Sequence, residues 1–552
     1  MRTLSSPVRQ SFLLITAISI IGLLIVRQIG LTGVDRRDLY QYNTFSFLYH
    51  EHEAVFFSLF IALSVIGYLF LSQGQETTVP WPRWDLRFPM KRNAIFGVAS
   101  LVCLIIGVGA YSVFHGYSVC VDEFMSDYQA EIFATGNVYA RIDPAWHDLA
   151  IPLTPTFAMF NAERNTWISP YLPVYAAIRA MFSLLGVRSL TNAVLAGLSI
   201  LTLAGIVRKL WPREVSFPLI ACLLLATSSQ FLLMSMTAFS MPAHLYLSLT
   251  WLWLYTRNDQ WSGLVTPWIG VLAMGLHNPV VHALFVLPFL IRIARGKQWS
   301  KIFYFGSVYT LGCSVWLAWL VFVANGVASG GGEPSVSSMF VLPGLTQALF
   351  QIMNLSLILS WQSYVLVFLV LVALTTRRRR TPFERDLLWS CLITFLFYSF
   401  FRTSQVNGWG YRYTYSILGN LVLLSLIGWQ ELRMQIGASR SSFILGSSLA
   451  IALFVQLPVR SLQAERFVRP HYASFQYIMS LSAPFVLLDA KTIWPAADLM
   501  RNDPFLREKP KLLFSSRTTQ QHLEILKKLG DVQEVGGETL AQFGLPVVHP
   551  KE

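Results

Sequence analysis

Charged residues are scarce in this chain of 552 residues: they make up 13% of it, whereas apolar residues make up 54%. Soluble domains carry about 25% charged residues, so the composition excludes an ordinary soluble protein. Aspartate, glutamate, lysine and arginine are all missing from three long stretches, 215–256, 260–291 and 334–376. Because a run of roughly 20 apolar residues crosses the hydrocarbon core of a bilayer, each stretch predicts a pair of membrane-spanning helices.

Motifs of common soluble chemistry are missing as well. The sequence has no nucleotide-binding P-loop, no HExxH zinc motif, no CxxC pair and no internal repeat. Four of the five cysteines lie inside apolar stretches, which leaves Cys120 without an evident partner. The sequence therefore predicts no disulfide.

The apolar stretches predict a bundle of about thirteen spanning helices. The predicted spans are 11–30, 54–71, 94–114, 190–207, 216–234, 239–255, 262–276, 280–291, 302–323, 357–376, 387–401, 413–429 and 442–457. With a cytoplasmic N-terminus, every basic cluster then falls in loops on the cytoplasmic side, as the positive-inside rule requires. This topology accounts for the net charge of +13, so no nucleic-acid partner is expected. It also makes the apolar stretch 170–187 a helix lying on the outer surface.

The predicted fold class is therefore mostly α, a polytopic membrane helical bundle with a small α/β domain at its C-terminus. Residues 1–93 hold two N-terminal helices and a cytoplasmic loop. Residues 94–459 form the transmembrane core with an external loop at 115–169. In residues 460–552 charges return, and short strand, helix and strand patterns predict an extracytoplasmic α/β domain.

The strongest candidate site is the acidic pair Asp122 and Glu123, which follows the third predicted span. In a helix, Glu123, Asp127 and Glu131 share one face. Such carboxylates could deprotonate an acceptor hydroxyl or hold a divalent metal ion. The alternative is an ordinary solvated acidic face.

Basic residues on the same predicted side form a second candidate set. Arg412 lies in the stretch NGWGYRY, where a guanidinium suits phosphate and the glycines let a ligand approach closely, although it could also reach to the interface beside aromatic residues. His277 lies at a predicted turn, where it could hydrogen-bond a phosphate or cap the turn. Arg164 belongs to the same loop as the acidic pair.

Taken in order, these motifs resemble the GT-C superfamily, which comprises polytopic membrane glycosyltransferases that use polyprenyl-phosphate sugars. The likeness rests on Asp122-Glu123 with the following helix, the prolines in 169–175, the basic end of 204–213, and 410–413; it extends over most of 94–457. The mannosyl- and aminoarabinosyl-transferases are the members it resembles. The first two helices look like an addition to the core of that family, and His277 stands where its pattern has an arginine.

The resemblance implies a catalytic core in 94–459 that moves a sugar from a polyprenyl-phosphate donor to a hydroxyl of a lipid, glycan or protein. It implies that Asp122 takes the acceptor proton, and that Glu123 orients the acceptor or completes a divalent metal site with Asp122. Arg412, with His277 and Arg164, would stabilise the departing phosphate. Tyr411 and Tyr175 are further substrate-binding candidates. The expected location is the bacterial inner (plasma) membrane, with the C-terminal domain outside the cytoplasm.

Two other functions remain open from the sequence. A transporter or flippase for lipid-linked sugars would also be polytopic, although transporters usually carry repeats and ionisable residues within their spans. A glycan ligase of the O-antigen type would instead use arginines and a histidine in external loops. Neither alternative needs the carboxylate of Asp122.

Overall fold

The computed structural model describes residues 6–31, 44–72, 92–257, 259–325, 340–342, 344–401, 407–493 and 495–547. Its α-helices are α1 (Ser6–Leu31), α2 (Thr44–Glu51), α3 (Glu53–Ser72), α4 (Arg92–Ser112), α5 (Val121–Ala134), α6 (Ala150–Leu153), α7 (Val174–Leu184), α8 (Thr191–Leu210), α9 (Phe217–Ala226), α10 (Ser229–Ser235), α11 (Met241–Arg257), α12 (Gln260–Met274), α13 (Pro279–Arg295), α14 (Trp299–Ala324), α15 (Leu345–Trp361), α16 (Tyr364–Thr375), α17 (Pro382–Tyr398), α18 (Leu418–Ile436), α19 (Ala438–Ile451), α20 (Leu457–Ser480), α21 (Ala496–Leu499), α22 (Gln520–Leu529) and α23 (Gly537–Ala541). Short strands are β1 (Ala140–Arg141), β2 (Met159–Asn161), β3 (Thr166–Ile168), β4 (Phe485–Leu488), β5 (Lys511–Phe514) and β6 (Val532–Val535).

The helices form the polytopic bundle that the charge-free stretches predicted. Within the described chain, six helices are long and apolar enough to cross a membrane, and the number rises to eight if each of two bent helix pairs counts as one span. Every predicted span coincides with one or two helices, but several of these helices are shorter than 18 residues. The count of about thirteen spans stays a prediction.

Two predicted spans are broken where a single helix was expected. The stretch 357–376 bends by 116° between α15 and α16, and 216–234 bends by 61° between α9 and α10. Hydrogen bonds from side chains compensate for the lost helical ones: Ser448 accepts from the backbone N–H of Val365, and Ser228 accepts from that of Phe231. A serine side chain thus stabilises each break, supplied by α19 in the first case and by the break itself in the second.

The predicted boundary at residue 460 lies inside a continuous helical segment. Helix α19 passes through one π-helical turn into α20, so the helix continues from Ala438 to Ser480. Arg460 is fully buried in it and forms an ion pair with Glu53 of α3 at 2.7 Å. The charge that suggested the end of the membrane region is neutralised inside the bundle.

The segment that follows α20 contains a three-stranded parallel sheet in the order β5-β4-β6. Its central strand β4 pairs with both neighbours and is buried along its whole length, as expected for a central parallel strand. Strands β4, β5 and β6 lie within residues 460–552, where the sequence predicted short strands. Residues 115–169 contain α5 and a second, antiparallel sheet in the order β1-β3-β2.

These two segments share one apolar core. Side chains of α5, such as Met125 and Ile132, belong to the same buried cluster as Trp167 of β3 and Leu487 and Leu513 of the parallel sheet. Hydrogen bonds cross the same boundary, for example from the Trp167 indole to the carbonyl of Pro504 at 2.9 Å. The C-terminal segment is therefore packed directly against the helix that carries the acidic pair.

Candidate active site

The acidic pair lies in the first turn of α5. Cys120 is the N-cap residue, and Asp122 and Glu123 are the second and third residues of the helix. Backbone N–H groups without helical partners give this end of a helix a partial positive charge, which favours carboxylates there. The sequence places both acids on the same turn, yet their side chains meet different partners.

Asp122 contacts two residues that lie far from it in the sequence, Arg412 and Tyr171. One carboxylate oxygen accepts from Arg412 Nη1 at 2.9 Å, and the other accepts from the Tyr171 hydroxyl at 2.5 Å. Burial raises the pKa of the Asp122 carboxyl, but the charge of Arg412 and the hydrogen bond from Tyr171 outweigh it, so the pKa lies below its usual value. Asp122 is therefore an ionised carboxylate held by a cation.

His277 lies on the other side of Tyr171. The two rings are tilted against each other, with centroids 4.2 Å apart. Of the two alternatives left open for His277, the capping role belongs to the neighbouring Asn278, whose side chain accepts from the N–H of Val280 and caps α13. His277 is left facing Tyr171, the residue that binds Asp122.

Arg412 is positioned by the glycine-rich turn before it. Gly410 has a φ of +75°, and a side chain at this position would lie 2.8 Å from Gln230. The close approach lets the Gln230 amide donate to the carbonyl of Tyr411 at 2.7 Å, directly beside Arg412. Only glycine combines this backbone conformation with so little space.

Glu123 faces away from this cluster. Its carboxylate accepts from the backbone N–H of Ala238 at 3.0 Å, and it is 1% exposed. Burial raises the pKa of its carboxyl to about 7, because the loss of solvent outweighs the hydrogen bond from Ala238, which lowers the pKa. The alternative interpretation, an ordinary solvated acidic face, is therefore wrong for Glu123. It is also wrong for Asp127, which forms an ion pair with the buried Arg179.

A divalent metal fits these residues poorly. The two carboxylates point to different partners, and Asp122 already binds a cation. Among the described residues, no group of three or more His, Cys, Asp or Glu side chains is placed to hold a metal ion. The metal stays a sequence-based prediction, and no chemical step below depends on it.

We expect Glu123→Gln to change how stability depends on pH. A carboxyl whose folded pKa lies near 7, above its ordinary 4.5, stabilises the fold fully at low pH, and this contribution is lost as the pH rises through about 7. The melting temperature of the wild type in detergent should therefore fall more between pH 6 and 8 than that of Glu123→Gln. Equal falls in both proteins would show that Glu123 is already ionised at pH 6.

The remaining predicted site residues lie apart from Asp122. Arg164 lies 5.7 Å from the ring of Phe322, a residue at the end of α14. Tyr411 is fully buried, and its hydroxyl points towards Gln351. Tyr175 hydrogen-bonds Asn192, although it lines the same narrow cleft as Tyr171 and His277. The structure thus brings Asp122, Arg412 and His277 together and leaves Arg164, Tyr411 and Tyr175 outside their direct contacts.

Tyr171 is the site residue that sequence reasoning missed. It lies in the proline-rich segment already singled out, four residues before the tyrosine chosen there, Tyr175. The backbone N–H of α7 residue Val174 donates to the carbonyl of Gly275, which ties this segment to the turn that carries His277. The sequence indicated the proline-rich segment, but only the fold shows that Tyr171 is the tyrosine that faces Asp122.

Comparison with known proteins identifies the fold. No protein-family model and no curated protein matches the chain. Two solved structures of ArnT from Cupriavidus metallidurans do: the one bound to undecaprenyl phosphate has a TM-score of 0.51 and 12% identity, and covers 80% of this chain and 90% of that chain. The apo structure has a TM-score of 0.50 at 12% identity, with 82% and 89% covered. The chain therefore shares the fold of ArnT, and the mostly helical fold with apolar spans that the resemblance implied is confirmed, while the number of spans and the C-terminal α/β domain stay predictions.

Proposed function

We propose that the protein is a membrane glycosyltransferase that moves a sugar from a polyprenyl-phosphate donor to an acceptor hydroxyl. The observation that carries this proposal is the contact between Asp122 and Arg412, residues 290 positions apart. A carboxylate and a guanidinium at one place are the two groups that such a transfer needs, one for the acceptor proton and one for the leaving phosphate. The ArnT structure bound to undecaprenyl phosphate supports the donor class.

The reaction can be written from these two side chains. The acceptor oxygen attacks the anomeric carbon of the sugar, and the bond from that carbon to the phosphate oxygen breaks. The acceptor proton passes to Asp122, and polyprenyl phosphate leaves with the electron pair, stabilised by Arg412. Arg412 is suited to this role because its planar fork can bind two phosphate oxygens at once.

Donor binding would also activate the base. Without donor, Arg412 neutralises Asp122 and lowers the pKa of its carboxyl. A donor phosphate competes for the same guanidinium, and as Arg412 turns to it the carboxylate loses its strongest stabilising charge. Its pKa then rises, so Asp122 becomes a better proton acceptor when the donor is in place.

The location follows from the predicted topology. With the basic loops in the cytoplasm, the site and the C-terminal segment face outward, in a bacterial inner membrane. The donor would enter from the outer leaflet, and the acceptor would be a lipid, glycan or protein on that side. His277, next to Tyr171, is the further residue best placed to meet the donor phosphate.

A transporter or an O-antigen-type ligase is the alternative function. Neither explains why a partly buried arginine contacts the one carboxylate that the proposed chemistry requires as a base. Asp122, Arg412 and His277 also gather at one end of the bundle, in loops and helix ends, which fits a fixed site better than a path across the membrane.

The proposal is tested by following label from a panel of polyprenyl-phosphate sugars in membranes that contain wild type or Arg412→Ala. We expect the wild type to transfer label from one donor class and Arg412→Ala to lose about 10²-fold or more in kcat, since it removes the cation at the leaving group. Arg385→Ala, which removes an exposed arginine from the first turn of α17, is the control. No transfer from any donor would contradict the proposed function.

A further inference from the structure

The helix that carries Asp122 lacks a cap from its own sequence. Cys120 occupies the N-cap position of α5, but its side chain accepts from no backbone N–H of the helix; its thiol instead donates to the Glu123 carboxylate at 3.7 Å. Instead, Asp498 of α21 accepts from the backbone N–H of Val121 at 2.9 Å, across 377 positions of sequence. Val121 directly precedes Asp122, so the C-terminal segment supplies an acceptor for one of the first-turn N–H groups that have no partner inside the helix.

Arg501 makes a second, independent contact with the same turn. Its guanidinium donates to the carbonyl of Ser118 and, through Nε, to the carbonyl of Asp498 at 2.7 Å. It also lies over the Tyr117 ring at 4.1 Å. Together, Asp498 and Arg501 hold both ends of the short stretch from Ser118 to Val121, through which the chain enters α5.

We propose that Asp498 and Arg501 are positioning residues. Through them the C-terminal segment caps α5 of the same chain and fixes Asp122 in the place where it takes the proton of the acceptor hydroxyl. This inference rests on the proposed transferase function. It gives the C-terminal segment a direct part in the reaction, because the site would be correctly formed only when that segment is docked. Without the cap, the first turn of α5 would fray and Asp122 would lose its alignment.

The chemistry of Asp498 is suited to this role. Burial raises the pKa of its carboxyl to about 7, Arg501 and the Val121 N–H lower it, and the nearby Asp122 raises it further. A neutral acid keeps a carbonyl oxygen that can accept from Val121. An asparagine keeps the same acceptor, whereas an alanine does not, so the two substitutions separate the hydrogen bond from the charge.

The kinetic test compares Asp498→Ala with Asp498→Asn. We expect Asp498→Ala to lower kcat for sugar transfer by about tenfold while the KM for the donor changes by less than about threefold, because a small displacement of a catalytic group slows chemistry more than binding. Asp498→Asn should recover most of the lost kcat. Equal loss in both variants, or a loss confined to KM, would overturn the proposal.

Arg507→Ala serves as the matched control. Arg507 also joins the C-terminal segment to α5, but it is exposed and contacts Glu131 near the far end of the helix, at 2.8 Å. It should leave kcat within about twofold of the wild type, since an exposed pair contributes little. A tenfold loss in this variant would show that any weakening of the docked segment lowers activity, which would overturn the specific role of the cap.

Hydrogen–deuterium exchange of the purified full chain tests the cap without relying on activity. Peptides that span 118–125 should exchange faster in Asp498→Ala than in the wild type, and Asp498→Asn should restore the protection, while peptides from the bundle stay unchanged in all three. Unchanged exchange in Asp498→Ala would refute the cap even if the transferase function holds. Faster exchange in Asp498→Ala, together with a wild type that transfers no sugar, would instead show that the cap is correct and that the proposed function is wrong.

Discussion

Asp122→Asn is expected to lower kcat for sugar transfer by about 10²–10⁴-fold, the range that a positioned general base contributes. Asparagine keeps the shape of the side chain and can still accept from Tyr171, but it cannot take a proton at neutral pH. It also cannot neutralise the charge of Arg412, so a donor phosphate no longer competes with a carboxylate for the guanidinium. We therefore expect the KM for the donor to stay unchanged or to fall.

The matched control for this prediction is Asp148→Asn, which removes an exposed carboxylate from the same segment of the chain. The amount of folded protein, measured by size-exclusion chromatography in detergent, must be equal in both variants and the wild type. The measurement is the initial rate of label transfer at saturating donor. A kcat within threefold of the wild type would remove Asp122 from the role of base.

Arg460→Ala should destabilise the bundle by about 3–5 kcal/mol, because it leaves Glu53 buried without a counter-charge. Both side chains of this pair are 0% exposed, and two parallel hydrogen bonds of 2.7 and 2.8 Å join them. Ser360 and the Trp361 indole also donate to the Glu53 carboxylate, and the guanidinium lies 4.2 Å from the Trp361 ring. A single substitution thus disrupts contacts between α3, α15 and α20.

A double variant separates the cost of a buried charge from the loss of packing. Glu53→Gln combined with Arg460→Met removes both charges and fills a similar volume, so its melting temperature should lie well above that of Arg460→Ala. Arg469→Ala, which removes an exposed arginine from the same helix, is the control. If Arg460→Ala melts within about 2 °C of the wild type, the pair does not hold the N-terminal helices to the bundle.

The spans were predictable because their signal is local. Every residue in a stretch such as 260–291 is uncharged, and the bilayer admits few other structures for such a sequence. The break between α15 and α16 was not predictable, because Gln362 and Ser363 look ordinary until their neighbours are known. Gln362 donates to Gln230, which is 132 positions away.

The site was predictable in part for the same reason. Asp122 and Arg412 stand out because charges beside apolar spans are few, but their contact depends on packing across 290 positions. Arg460 shows the opposite case: read locally, it marked the end of the membrane region, and only its pairing with Glu53 explains why it is buried. The contact of Asp498 with α5 could not be predicted, because nothing near it in the sequence indicates that it caps a helix in another segment.

The most direct test of the central claim uses a polyprenyl-phosphate sugar with tritium in the sugar and radioactive phosphorus in the phosphate. Purified wild-type protein in liposomes, given this donor and a membrane extract as the source of acceptor, should separate the two labels: tritium moves to the acceptor while phosphorus stays with the lipid. Asp122→Asn should leave them together. Labels that stay together in the wild type while the donor crosses the bilayer would contradict a transferase and identify a transporter.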